Sequence, residues 1–292
     1  MKTIKYIASL LAGITLFSCD NFEDINTNPD AVTKVSPKLL ATGAIVGLMK
    51  PSKGKDFIYN QMTCKYIGWS EALEGTQYNN FGRESFSGYT SLTNYKLMAE
   101  LTDKDETMNE DKRNAYKGLA LFLKAYRLFE YTLNVGDIPY EGILEGKEGN
   151  LTVAYNTQED VFKFLLNDLD KAHEYFQNAN QTTFDGDPIF GGKVEQWHRV
   201  SNALELRILI NLSKKLNSTD INIKSKFNEI LDRNLLLRSN ADNLQITFST
   251  KEGQLYPFNE SLHSYKQYVM ISGLVIDALK ANEDYRLFYY AN

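Results

Sequence analysis

Residues 111–134 read DKRNAYKGLALFLKAYRLFEYTLN, and within them Ala115, Leu119, Phe122, Tyr126, Phe129 and Leu133 recur at intervals of three and four. At 3.6 residues per turn that spacing returns to one side of a helix, so it predicts a long helix with one buried face. Gly136 stands just past its end, where a left-handed residue is cheapest, and Gly136-Asp137-Ile138-Pro139-Tyr140 reads as the exit turn. The same logic extends toward the C-terminus. Thr157-Gln158-Glu159-Asp160 resembles a capping box, and Val161, Leu165, Leu169, Ala172 and Phe176 then share a face. Lys193 to Leu216 forms another predicted helix, with Val194, Trp197, Val200, Leu204, Ile208 and Leu212 aligned. Shorter helices are expected near 222–235 and 271–282, and only Leu244 to Ser249 alternates like a strand.

Toward the N-terminus, Ser36-Pro37 offers an N-cap and a first-turn proline to a helix carrying Leu39, Leu40, Ala44, Ile45 and Leu48 up to Pro51. A second amphipathic stretch runs from about Phe57 to Trp69. The expected fold class is therefore mainly α, made of helix hairpins with one or two long loops. No strict repeat at 34 residues is visible, so self-similarity alone does not define a solenoid.

A chain of 292 residues with 43% hydrophobic and 24% charged residues can bury a sizeable core, which excludes a disordered chain and a multi-span membrane protein. The net charge of −5, without basic blocks, argues against nucleic acid as a partner. The first residues set the compartment. Lys2 and Lys5 precede an apolar run from Ile7 to Phe17, long enough for an export signal and too short to span a bilayer. The run ends in Leu16-Phe17-Ser18-Cys19, which resembles a bacterial lipobox. That resemblance implies cleavage before Cys19, diacylation of its thiol and acylation of the new amino terminus, an anchor that is effectively permanent. Cys64 is the only other cysteine, so no disulfide framework is expected. Residues 1–18 are thus read as a lipoprotein signal peptide, 19–35 as an acidic tether and 36–292 as the helical domain. Asp20-Asn21-Phe22-Glu23-Asp24 either resembles the surface-export signal of lipoproteins in the Bacteroidota or is simply solvated linker.

No constellation in the chain asks to be called catalytic. His173, His198 and His263 lack ligand-like spacing, so no metal site is expected. Asp185-Gly186-Asp187-Pro188 begins like a calcium loop but continues with Ile189 and lacks the closing Glu, which leaves a turn. Gly142 to Lys147 is one residue short of a phosphate-binding loop, and no cofactor is expected. Asp168 and Asp170 sit two apart on a helix, hence on different faces, and cannot flank one glycosidic bond. The better lead is an aromatic and amide-rich loop. Trp69, Tyr78, Asn79, Asn80, Arg83 and Tyr89 combine ring faces for the C–H surfaces of sugars with partners for their hydroxyls. The other reading of the same residues is a hydrophobic minicore under a long loop.

Several landmarks together resemble the SusD/RagB family of nutrient-binding outer-membrane lipoproteins of the Bacteroidota. They are the lipobox followed by Asp24-Ile25-Asn26-Thr27-Asn28-Pro29-Asp30, the helix 120–133 running into Gly136-Asp137-Ile138-Pro139-Tyr140, and Thr157 through Ala172. Asp187-Pro188-Ile189-Phe190-Gly191-Gly192 follows, with Trp197 and Asn202-Ala203-Leu204-Glu205-Leu206-Arg207 behind it. Physically these mark the scaffold: Gly136 and Pro139 fix a helix exit, Trp197 packs a hairpin, and Arg207 pairs with a carboxylate or carbonyls. The resemblance implies tetratricopeptide-like helix pairs in an α/α superhelix with long ligand-binding loops. It also implies a lid docked on a SusC-like TonB-dependent barrel, and a glycan or, in some members, a peptide as ligand. A non-enzymatic, lipid-anchored protein facing the outside of the outer membrane is expected, with a helical surface glycoside hydrolase or a purely structural adaptor as the alternatives. Family members run longer, so a C-terminally truncated domain is a further expectation, the apolar end Leu287 to Tyr290 being an unusual finish.

Overall fold

The order of elements follows the apolar periodicity closely. The structure is a computed structural model that describes residues 35–49, 59–70, 83, 85–179, 181–217, 219–256, 259 and 268–291. The signal and tether readings, and the Tyr78-Asn79-Asn80 segment, lie outside the described residues. The helices are α1 (Pro37–Met49), α2 (Tyr59–Thr63), α3 (Thr90–Lys104), α4 (Glu110–Val135), α5 (Gln158–Asn178), α6 (Val194–Asn211), α7 (Ile223–Asp232), α8 (Gly273–Ala281) and α9 (Leu287–Tyr290). Strands β1 (Ile67–Trp69) and β2 (Val269–Ile271) pair antiparallel, with Ile67 opposite Ile271 and Trp69 opposite Val269.

Helix α4 is the spine. Asn109 caps it by accepting from the Lys112 amide at 2.9 Å, and Glu110 and Asp111 place negative charge at its positive end. It stops at Gly136, whose φ of +87° suits glycine; the Gly136 amide donates to the Thr132 carbonyl at 2.9 Å. The turn that follows is held by Asn156, whose side-chain oxygen accepts from the Tyr140 and Glu141 amides at 2.9 and 3.1 Å. Asp137 then accepts from the Gln158 amide at 2.8 Å, tying the exit of α4 to the start of α5. The expected capping box is present in modified form. Thr157 accepts from the Asp160 amide at 3.2 Å, while the Asp160 carboxylate accepts from the Thr157 hydroxyl at 2.7 Å rather than from the Thr157 backbone amide.

Successive helices pack as pairs: α1 on α3 and α4, then α3 with α4, α4 with α5, α5 with α6 and α6 with α7. Val161, Leu165, Leu169, Ala172 and Phe176 are all buried, as are Val194, Trp197, Val200, Leu204, Ile208 and Leu212. Tyr126 and Leu133 depart from the expected stripe on α4, being half-buried and exposed. Gly118 lets α4 and α5 approach, since a Cβ there would meet the Phe176 ring. Trp197 locks the α5–α6 hairpin edge-on to Phe122 and Phe190, and its indole donates to Asp187 at 2.8 Å. Asp187 also accepts from the Ile189, Phe190 and Gly192 amides. The Asp-Gly-Asp-Pro segment is therefore a turn, as its failed calcium pattern requires. This is a mainly α fold of tetratricopeptide-like pairs, and no helix among the described residues is long and apolar enough to cross a membrane.

Two expectations are corrected, and one helix goes beyond them. The stretch 57–69 is not one amphipathic helix: the described part gives a short helix and then β1, because β1 finds a partner some 200 residues later that local periodicity cannot announce. Leu244 to Ser249 forms no strand, its alternation lacking a ladder to join. Thr90–Lys104 is a full helix that local reading passed over, with Leu92, Tyr95, Met98 and Thr102 buried. In addition, the helix expected to reach Leu216 ends at Asn211 and continues as a single 3₁₀ turn, Ser213–Lys215.

Candidate functional site

The two ends of the aromatic loop are anchored in different clusters. Trp69, on β1, is 6% exposed; its ring stacks on Tyr268 at 5.6 Å and 26°, over Met62. Tyr89 closes a 3₁₀ turn, Phe86–Tyr89, and its hydroxyl donates to the Pro139 carbonyl at 2.9 Å. Its ring meets Phe86 at 5.3 Å and Tyr131 at 5.2 Å, and burial pushes the Tyr89 hydroxyl pKa well above its usual value. Tyr131 accepts from the Gly88 amide at 2.9 Å, and exposed Tyr155 stands edge-on to Phe86. Trp69 therefore stacks on one neighbour while Tyr89 meets its neighbours edge-on and tilted, and the two rings belong to different clusters. Arg83 is exposed. Sequence reading missed Tyr131 and Tyr155 as members of the Tyr89 cluster, and the contact that joins them is long-range.

An open groove of about 910 Å³ lies beside β1 and β2. Ile67, Val269, Ile271, Leu274 and Leu279 give it an apolar floor, and Gln61, Tyr66, Arg286 and Tyr290 add polar groups. Tyr66 and Tyr290 are exposed at 53% and 61%. Arg286 is oriented by Asp284, its Nε lying 2.9 and 3.0 Å from the two carboxylate oxygens. Ring faces, an amide and a fixed guanidinium around an apolar floor form the kind of surface on which an amphiphilic ligand can both stack and hydrogen-bond.

The remaining polar groups belong to the scaffold. Asp168 faces α4 through Lys124, and Asp170 faces α7 through Lys226 and Arg233, so the two carboxylates do point to different neighbours. Arg233 also pairs with fully buried Glu205 at 2.9 Å and donates to Asn202 at 2.9 Å. Among the described residues the second Glu205 oxygen has no hydrogen-bond partner, and burial raises the Glu205 pKa to about 7. His173 and His198, unrelated by sequence spacing, meet at 2.6 Å between Nδ1 and Nε2. Burial lowers the His198 pKa to about 4, so the pair is neutral near pH 7, one ring donating to the other. Among the described residues no three His, Cys, Asp or Glu side chains gather to hold a metal. Arg207 lies 5.6 Å over the Phe129 ring, and its charge offsets part of the rise that burial gives Glu130.

A stack of helix pairs with a mixed aromatic groove defines a binding scaffold. The family model described as "Starch-binding associating with outer membrane" matches residues 29–292, and the chain belongs to this SusD-like family. It is similar to a SusD homolog from Bacteroides fragilis at 40% identity and TM-score 0.79, covering 87% of this chain and 52% of that one. A second SusD homolog from Bacteroides fragilis shows 31% identity and TM-score 0.74 over 87% and 52% of the two chains. An outer-membrane protein from Bacteroides vulgatus named for nutrient binding shows 28% identity and TM-score 0.72 over 87% and 53%. The chain thus spans about half the length of the solved relatives it matches. No curated protein matches it.

Proposed function

We propose that this protein is a lipid-anchored, outward-facing protein of the outer membrane that binds oligosaccharide and delivers it to a SusC-like TonB-dependent barrel. The family match over residues 29–292 is the observation that carries this reading, since it joins carbohydrate binding to the outer membrane in one description. Cys19 is the acylated residue, 1–18 the signal removed, 19–35 the tether and 36–292 the binding body. The ligand contacts we propose are Trp69, Tyr78, Asn79, Asn80, Arg83 and Tyr89, with the groove beside β1 and β2 as a further surface for the same ligand. The protein binds without cleaving.

Calorimetric titration of the full chain with malto-oligosaccharides and with a peptide panel tests the ligand class. Binding that weakens on substituting Tyr78 or Tyr66 with Ala is expected. Peptide binding alone would move the ligand class to peptides, and new reducing ends after incubation with polysaccharide would make the protein a hydrolase. Labelled palmitate should enter the wild type and not Cys19→Ser, and an affinity tag on the chain should recover a large barrel from detergent-solubilised membranes. Absence of both label and barrel would overturn anchoring and delivery.

A further inference from the structure

The seam between α4 and α5 holds an open cavity of about 300 Å³ that the groove does not involve, walled by Lys124, Tyr140, Phe164, Asn167 and Asp168, with Glu141 and Glu145 at its exposed rim. Its wall carries a charge pair. Lys124 Nζ lies 2.8 Å from Asp168 Oδ2, and the two side chains are only 20% and 10% exposed. The Tyr140 hydroxyl donates to that same oxygen at 2.6 Å, and the ammonium sits 4.4 Å above the Tyr140 ring. The Phe164 ring lies beside Tyr140 at 5.3 Å, tilted by 30°. Both contacts of Asp168 therefore use Oδ2, and among the described residues Oδ1 accepts no hydrogen bond. The ammonium has three protons, and its ion pair with Asp168 leaves at least two of them for other acceptors. A largely desolvated ion pair with spare donors and a spare acceptor, opening onto a cavity, is more than a strut between helices needs.

We propose that this cavity is a separate carbohydrate subsite that takes one pyranose ring by a vicinal diol, one hydroxyl accepting from Lys124 Nζ and its neighbour donating to Asp168 Oδ1. The ring's C–H face rests against Phe164, and Asn167, exposed at the rim, serves a further hydroxyl. Charge decides the ligand class. An anion would meet Glu141 and Glu145 at the rim as well as Asp168, while a cation would compete with Lys124 for Asp168 and part the pair; the two rim carboxylates already accept from Asn156 and Asn150 at 3.1 and 3.3 Å. A neutral diol leaves the pair intact and adds two charge-assisted hydrogen bonds. Volume sets the size, because about 300 Å³ is at the low end of small-molecule sites, which suits a single ring.

Titration of the isotopically labelled full chain with methyl α-D-glucopyranoside, followed by amide NMR, tests the site. The Ile143, Asn167 and Asp168 amides are expected to shift saturably, and the fully O-methylated sugar should give no shift. Lys124→Met should weaken binding about tenfold or more, the loss of one charge-assisted hydrogen bond. Should that variant fail to fold, Asn167→Trp, at an exposed position, should block the mouth with the melting curve unchanged. Shifts that persist with the O-methylated sugar, equal affinity in Asn167→Trp, or no shift at saturating sugar would each overturn the subsite. Tyr66→Ala and Tyr290→Ala, which act only on the groove, should leave these shifts untouched, so failure here and failure of the groove are read separately.

Discussion

Helix α8 is more apolar than helix α5, yet α5 buries Val161, Leu165, Leu169, Ala172 and Phe176 to 2% exposure or less while α8 buries nothing. Helix α5 alternates its apolar stripe with a charged face and lies between α4 and α6, so each apolar side chain meets a facing one. Helix α8, GLVIDALKA, is apolar on most sides and borders the groove with Leu274 exposed at 63%. Composition thus says little about burial; a stripe at helical period with a neighbour on each side says much. The helix-pair stack should accordingly behave as one cooperative core, and the β1–β2 and α8–α9 group as a less demanding surface.

The largest effect is expected at Trp197. Truncation to Ala removes a fully buried indole, two edge-on ring contacts and the bond to Asp187, and should cost about 3–5 kcal/mol in urea denaturation. Trp69→Ala is the matched control from the other region. Its ring is also buried, but among the described residues it packs in a much smaller cluster, with Met62, Ile67, Tyr268 and Val269, and its loss should be clearly smaller. Equal losses would mean the two groups unfold as a single core and would break the contrast. A backbone test inside the stack comes next. Gly192 has φ of +81°, and a Cβ there would strike the Phe184 carbonyl, so Gly192→Ala should cost about 2 kcal/mol or more by the same measurement.

A pH series sharpens the contrast within the stack itself. Glu205 has its folded pKa raised to about 7 from 4.5, so the native state keeps a proton that the unfolded chain releases, and stability falls as pH rises through that window. His198, lowered from 6.5 to about 4, acts in the opposite sense: stability is lost as pH falls through its window, and His173, also lowered, adds to this. The wild type should therefore show a shallow profile where the two windows overlap. Glu205→Gln should expose the histidine slope, with stability rising with pH, and His198→Asn should expose the glutamate slope, with stability falling. The differences between variants should reach about 1–2 kcal/mol, read as urea midpoints across the series. Parallel profiles in all three proteins would remove the network's role.

How much of this was legible follows from where each signal lives. The stripes of α5 and α6, the Gly136 exit and the Asp187 turn are local, spanning a few residues, and were read in place. Strand β1 and the His173–His198 contact depend on partners 25 to some 200 residues away, and no single-segment period encodes them. The aromatic loop shows the same limit. Ring and amide chemistry identifies residues worth testing, but the rings packed against Trp69 and Tyr89, Tyr268 and Tyr131, come from β2's flank and from α4.

The smallest effect is expected at Leu274, and it bears most directly on α8. In a helix whose apolar residues faced a packed neighbour, a Leu→Ser change would cost the transfer energy of the side chain plus a buried hydroxyl, together some 2 kcal/mol or more. Leu274 is 63% exposed and lines the groove, so Leu274→Ser should change stability by no more than about 0.5 kcal/mol. The same substitution at Leu165, 0% exposed on α5, gives the scale for a packed site. If Leu274→Ser costs as much as Leu165→Ser, the groove floor is a buried interface in solution rather than a surface, and ligand contacts placed there would have to move to the loop alone.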